Sequence, residues 1–177
     1  MAPDLADGLV AVVKRDCPTC TMVAPVLADL ARRPGVALTV YTQDDPTFPE
    51  GLPAGVVVDD TSLDVSWHQD IDTVPTILRV EKGKEVDRTE GWVRQRWEEL
   101  TGQGRLGMDL PPFRPGCGSL SVDPNRAGEL AVRFAGSGLR SRRVELAELE
   151  DEAEALFERG WTDGLPVVVP TPERVLR

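Results

Sequence analysis

The sequence predicts an α/β fold with a central mixed β-sheet flanked by helices, and three observations lead to this class. Residues Leu9 to Lys14 form a short valine-rich run that is typical of a buried strand. Apolar side chains recur at three- and four-residue spacing from Met22 to Ala31, which indicates an amphipathic helix. Strand-like and helix-like stretches then alternate to about residue 103, and alternation of this kind is typical of a sheet covered by helices.

The next elements follow from local signals. Apolar runs predict strands at Val36 to Thr42 and at Val56 to Val58. Three prolines and two glycines between these strands, in residues 43–55, predict a surface loop. A short helix is expected from Ser62 to about Gln69, with Ser62 or Thr61 as its capping residue.

A hairpin and a helix complete the predicted domain. Lys82-Gly83-Lys84 is a turn signal between strands expected at Thr76 to Glu81 and Glu85 to Thr89. The spacing of Val93, Trp97 and Leu100 then places apolar side chains on one face of a helix. The domain is therefore expected to span residues 1–103.

The composition changes after that point. Glycine and proline crowd residues 104–122, which predicts an irregular linker containing Cys117. A mostly helical extension is expected over residues 123–177, with one helix opening at Asp123-Pro124 and ending near Ala135, and an acidic one from Glu145 to Glu158.

The charge balance excludes two classes of partner. The chain has 177 residues, of which 30 are acidic and 20 basic, for a formal net charge of −10. We expect no nucleic-acid or membrane partner, because these need clustered lysine and arginine or a long apolar span. The acidic N-terminus is unlike a signal peptide, which leads us to expect a cytoplasmic protein.

Cysteine chemistry is the main functional signal. The chain has three cysteines, two of them in the motif Cys17-Pro18-Thr19-Cys20. The free N–H groups and the positive dipole end of the predicted helix would stabilise a thiolate at Cys17. Cys20, one turn into the helix, would be close enough to form a disulfide with it.

A CxxC motif has two other common uses besides redox chemistry, and both stay open at this point. Zinc and iron–sulfur sites also use paired cysteines, and Cys17, Cys20, Cys117 and His68 could form a metal set. Haem attachment is excluded because Thr21 stands where that motif requires histidine.

Three separated motifs resemble the thioredoxin family over residues 5–103. The first is the strand, the CxxC pair and a helix with Pro25 five residues after the second cysteine; the second is Asp72-Thr73-Val74-Pro75-Thr76. The third is the lysine–glycine hairpin followed by Gly91-Trp92. The resemblance implies a thioredoxin-like fold.

The same resemblance implies the roles of individual residues. Cys17 matches the nucleophile, Cys20 the resolving thiol and Pro75 a cis-proline beside them. Thr73, Val74, Pro18 and Thr19 match the substrate-binding positions, with the Val74 backbone pairing with an extended substrate chain. The implied activity is that of a thiol–disulfide oxidoreductase with no cofactor. Its partners would be a protein or small-molecule disulfide substrate and a reductase or thiol electron donor.

Some residues depart from the family pattern. Arg15-Asp16 replace the tryptophan that commonly precedes the first cysteine, and Ala11 stands where thioredoxins carry a buried aspartate. These departures argue against a general-purpose thioredoxin. The alternatives are a non-catalytic docking module, using the 43–55 loop or the acidic helix, and a metal-binding regulator.

The resemblance to the thioredoxin family does not account for Cys117 or for the C-terminal residues 160–172. Cys117, between Gly116 and Gly118, is either an incidental thiol or an accessory one that exchanges with the CxxC pair. Residues 160–172 resemble the start of a UGSC-type bacterial domain. We therefore expect a further C-terminal domain that the redox module would serve.

Overall fold

The structure, a computed structural model, describes residues 3–134, 146 and 150–175, without the side chains of residues 172 and 173. The chain divides into two compact units, Met1–Arg126 and Ala127–Arg177. Within the described residues, no helix has both the length and the apolar character needed to cross a membrane.

The first unit contains nine strands and three α-helices among its described residues. The strands are β1 Gly8–Val13, β2 Leu38–Thr42, β3 Val57–Asp59, β4 Thr73–Val74, β5 Thr76–Glu81, β6 Lys84–Glu90, β7 Trp92–Val93, β8 Phe113–Arg114 and β9 Cys117–Gly118. The helices are α1 Pro18–Leu30, α2 Asp64–His68 and α3 Arg94–Thr101.

Five strands form the central sheet, in the order β3-β2-β1-β5-β6. β1 pairs parallel with β2 and antiparallel with β5, so the predicted mixed sheet is confirmed. β1 lies in the middle because Val10, Val12 and Val13 are fully buried and a valine-rich strand fits a site covered on both faces.

Helix α1 begins directly after β1, as predicted. Cys17 is its N-cap residue and Pro18 occupies the first turn, where a missing N–H leaves no hydrogen bond unmade. One face of the helix buries Val23, Leu27 and Leu30 in the core. The order of strand, cysteine cap and helix therefore holds the CxxC pair at the end of the most buried strand.

The predicted cap of α2 is wrong. The N-cap residue is Leu63, and neither Thr61 nor Ser62 caps the helix. The buried Asp60 carboxylate instead accepts hydrogen bonds from the Val65 and Ser66 backbone N–H groups, at 2.9 and 3.0 Å. Asp60 follows β3 directly, so the sheet itself supplies the negative charge that stabilises the helix N-terminus.

The 43–55 segment is only partly the surface loop that its composition predicts. It contains no helix or strand, but Gln43 and Phe48 are buried. Phe48 joins the main hydrophobic core, and the guanidinium of Arg15 lies 5.1 Å from its ring centroid.

The segment 104–122, expected to be an irregular linker, belongs to the first compact unit. β8 pairs antiparallel with β7, and β9 pairs antiparallel with β4. Leu106 is fully buried, and the Trp92 indole N–H donates to the Pro111 carbonyl at 2.6 Å. The unit thus extends about twenty residues beyond the expected boundary at residue 103.

The second unit contains helices α4 Ala127–Phe134, α5 Glu152–Glu158 and α6 Pro172–Val175 among its described residues. α4 begins three residues after the proline that was expected to open it. The Asp151 carboxylate caps α5 by accepting from the N–H groups of Ala153 and Glu154. The expected helix end at Ala135 and the expected start at Glu145 lie outside the described residues.

Replacing Asp60 with alanine should destabilise the first unit. The Asp60→Ala change removes the acceptor for buried N–H and O–H donors of α2, an effect of about 1–3 kcal/mol in the free energy of unfolding. The exposed Asp59→Ala change is the matched control and should cost about 0.5 kcal/mol or less. Urea unfolding measures both, and equal effects would contradict the assignment of Asp60 as the cap of α2.

Candidate functional site

Cys17 lies at the centre of the candidate site. Its Sγ accepts from the Cys20 backbone N–H at 3.4 Å and lies 3.6 Å from the Val74 carbonyl oxygen. The residue is 1% exposed. Its position as the N-cap of α1 directs the free N–H groups of the first turn at the sulfur.

These surroundings lower the pKa of Cys17 to about 5. The largest contribution is hydrogen bonding from the Cys20 side chain, with further contributions from the Cys117 thiol and the N–H groups of Cys20 and Thr19. Burial acts in the opposite direction, because it disfavours the charged form. Cys17 is therefore a thiolate at neutral pH.

The two CxxC sulfurs differ in protonation. Cys20 is fully buried, and this burial, followed by its hydrogen bond to Cys17, raises its pKa well above that of a free thiol. One thiolate and one thiol therefore lie one helical turn apart. This asymmetry suits a nucleophile and a second thiol that reacts later.

The nearby cations Lys14 and Arg15 pair with groups other than the Cys17 sulfur. The Arg15 guanidinium forms ion pairs with Asp45 and Glu50, both at 2.5 Å. The Lys14 ammonium donates to the Gly118 carbonyl at 2.8 Å. Both side chains hold neighbouring segments in place, and the Cys17 thiolate is stabilised mainly by thiols and backbone N–H groups.

The other positions implied by the resemblance lie around these sulfurs. The Val74–Pro75 peptide bond is cis, and both residues are buried. The Thr19 hydroxyl donates to the Pro115 carbonyl at 2.7 Å, whereas the Pro18 ring is exposed at the start of α1. Thr73 is half-buried and pairs with Gly118.

Cys117 lies against the CxxC pair, in residues 113–121, which we call the Cys117 segment. The Sγ atoms of Cys117 and Cys17 are 2.7 Å apart, whereas a disulfide bond measures about 2.05 Å. All three cysteines are free. Burial and the interaction with the Cys17 sulfur raise the pKa of the Cys117 thiol.

A buried polar network fastens the Cys117 segment to the domain. The Gln43 side-chain amide donates to the Ser66 and Ser119 hydroxyls, at 2.8 and 2.6 Å. Its carbonyl oxygen accepts from the Leu120 N–H at 3.0 Å. The Ser121 hydroxyl donates to the Ile71 carbonyl at 2.5 Å. Sequence reasoning missed this network, because an isolated glutamine in a proline-rich loop gives no signal of burial.

The metal set considered from the sequence does not form. No group of three or more His, Cys, Asp or Glu side chains in the described part of the chain is arranged to hold a metal ion. The His68 ring instead lies within α2, with Nδ1 3.0 Å from an Asp64 carboxylate oxygen.

No protein-family model matches the chain, and a search of curated proteins finds no match.

The low pKa of Cys17 can be measured directly. Thiolate ultraviolet absorbance of the reduced protein should fall in one step as the pH decreases, with a midpoint at about 5, and Cys17→Ser should remove that step. Cys117→Ala should move the midpoint upward, because it removes a thiol that donates to the thiolate. A wild-type midpoint near the ~8.5 of a free cysteine would contradict the described electrostatics.

Proposed function

We propose that the protein is a thiol–disulfide oxidoreductase with a thioredoxin-like fold, in which Cys17 is the nucleophile and Cys20 the resolving thiol. The observation that carries the proposal is the position of the Cys17 sulfur at the N-cap of α1, where it accepts from the Cys20 N–H at 3.4 Å, with the buried Cys20 one turn later. A lowered pKa is needed by a cysteine that attacks disulfides, because the thiolate is the reactive form.

The reaction proceeds by two exchanges. The Cys17 thiolate attacks one sulfur of a substrate disulfide, forming a mixed disulfide and releasing the other sulfur as a thiolate. Cys20 gives its proton to that departing thiolate and attacks the Cys17 sulfur, which releases the second substrate sulfur. The substrate gains the electron pair that the protein loses, and a thiol donor or reductase restores the Cys17–Cys20 dithiol.

The sheet supports the thioredoxin-like part of the proposal. A central strand leads into the CxxC helix, and an antiparallel hairpin, β5 and β6, follows the loop that contains cis-Pro75. This connectivity brings the proline loop to the sulfur of Cys17 through the Val74 carbonyl. The proposed substrate is a disulfide, and the proposed electron donor is a thiol.

The proposal predicts different failures for the two cysteine variants. The wild-type protein should catalyse the reduction of insulin disulfides by dithiothreitol. Cys17→Ser should lower the catalysed rate by at least about a hundredfold, because it removes the nucleophile. Cys20→Ser combined with Cys117→Ser leaves Cys17 as the only cysteine of the chain, and this variant should instead accumulate a mixed disulfide at Cys17, detected by mass spectrometry under non-reducing conditions.

Wild-type protein alkylated at its thiols is the matched control, because it keeps the chain and removes the chemistry. Circular dichroism checks that both serine variants are folded. Equal activity in Cys17→Ser and the wild type would overturn the proposal. So would an inactive wild type, and the docking module would then be the better account.

A further inference from the structure

The Cys117 segment lies where a substrate strand was expected. The resemblance to thioredoxins implies that the Val74 backbone pairs with an extended substrate chain, and in the structure Val74 pairs antiparallel with Cys117. The neighbouring pair is Thr73 with Gly118. The groove beside cis-Pro75 is thus filled by a strand of the same chain.

The segment also presents a sulfur to the nucleophile. Its Cys117 Sγ is 2.7 Å from Cys17 Sγ, the position that the sulfur of a bound disulfide substrate would take. Hydrogen bonds hold the strand on both sides of this contact, from the Thr19 hydroxyl to the Pro115 carbonyl and from the Ser119 N–H to the Asp72 carbonyl. Cys17, covered in this way, is 1% exposed.

We propose that the Cys117 segment is an internal substrate strand and that Cys117 is the disulfide partner of Cys17 within the same chain. The inference deepens the proposed function and rests on it for the oxidation that produces the first disulfide. It also assigns the substrate class that the groove accepts, namely an extended peptide carrying a cysteine next to a glycine.

The thiol–disulfide exchange that would join Cys17 to Cys117 needs no added oxidant. The Cys117 thiolate attacks the Cys17 sulfur of the Cys17–Cys20 disulfide, so that the Cys17–Cys117 bond forms and the Cys17–Cys20 bond breaks. Cys20 leaves as a thiolate and takes up the proton that Cys117 released. One disulfide replaces another, and no electrons enter or leave the protein.

Gly116 makes the close approach of this strand possible. A Cβ at residue 116 would lie 2.7 Å from the Val74 carbonyl oxygen and would also overlap the Thr73 methyl group. A Cβ at Gly118 would meet no atom within 4 Å. The two glycines flank the same cysteine, so alanine at one should displace the strand while alanine at the other should leave it in place.

The test uses the full chain carrying Cys20→Ser, treated with oxidised glutathione. Cys17 should first become glutathionylated, releasing one glutathione. Cys117 should then displace the second glutathione and form the Cys17–Cys117 disulfide, which peptide mapping detects. Adding Gly116→Ala should slow this closure by at least about tenfold, because the sulfurs are displaced. Adding Gly118→Ala should leave its rate unchanged.

Three results would overturn the inference. These are stable glutathionylation of Cys17 with Gly116 intact, Cys117-linked dimers as the main product, and equal closure rates in the two alanine variants. If Gly116→Ala fails to fold, Thr19→Val in the Cys20→Ser protein replaces it, since it removes the hydrogen bond to Pro115 and should also slow closure. Closure in Cys20→Ser together with an inactive wild type would refute the proposed function and leave the internal disulfide established.

Discussion

The antiparallel pairing of Thr73–Val74 with Cys117–Gly118 is the contact on which the site depends. It brings a third sulfur to Cys17, buries that cysteine and uses the backbone groups beside cis-Pro75. Backbone pairing of this kind normally serves recognition of an extended peptide, where main-chain hydrogen bonds give affinity and side-chain fit gives specificity. Here the peptide belongs to the same chain, so an external substrate would compete with a permanently available strand.

A second constraint is the difference in pKa among the three cysteine sulfurs. The pKa of the cysteine at the helix N-terminus is lowered, whereas the pKa values of the buried cysteine one turn later and of the cysteine on the opposing strand are raised. Because each protonated thiol can donate to the thiolate, both lower the pKa of Cys17. The same two thiols are the groups able to attack Cys17 once it has been oxidised. In the proposed exchange, the sulfur atoms that lower the pKa of Cys17 are therefore also the atoms that would react with it.

Local sequence patterns predicted most of the fold. The valine-rich β1, the cysteine cap of α1 and the hairpin of β5 and β6 were predictable because each depends on residues close together in the chain. The cap of α2 was not, because Asp60 lies at a strand end and acts from outside the first helical turn.

The candidate site likewise contains residues that local sequence predicted and residues that it did not. The CxxC motif pointed to Cys17 and Cys20, since their spacing in a helix places them together. The position of Cys117 depends on its strand pairing with Val74, about forty residues earlier in the chain, and no local pattern encodes such a pairing. Its supports, Gln43 and Ser119, are 76 residues apart in sequence and meet only in the folded core. Glycine-rich composition suggested an irregular linker because it does not distinguish a loose loop from a strand that needs small residues for close approach.

The most direct test of the account is a redox titration of the wild-type protein in glutathione buffers, with alkylation and peptide mapping of all three thiols at each potential. The account predicts that Cys17 takes part in every intramolecular disulfide and that Cys20 and Cys117 share the second position. A protein in which Cys17 stays alkylated as a free thiol while the other cysteines are oxidised would contradict it.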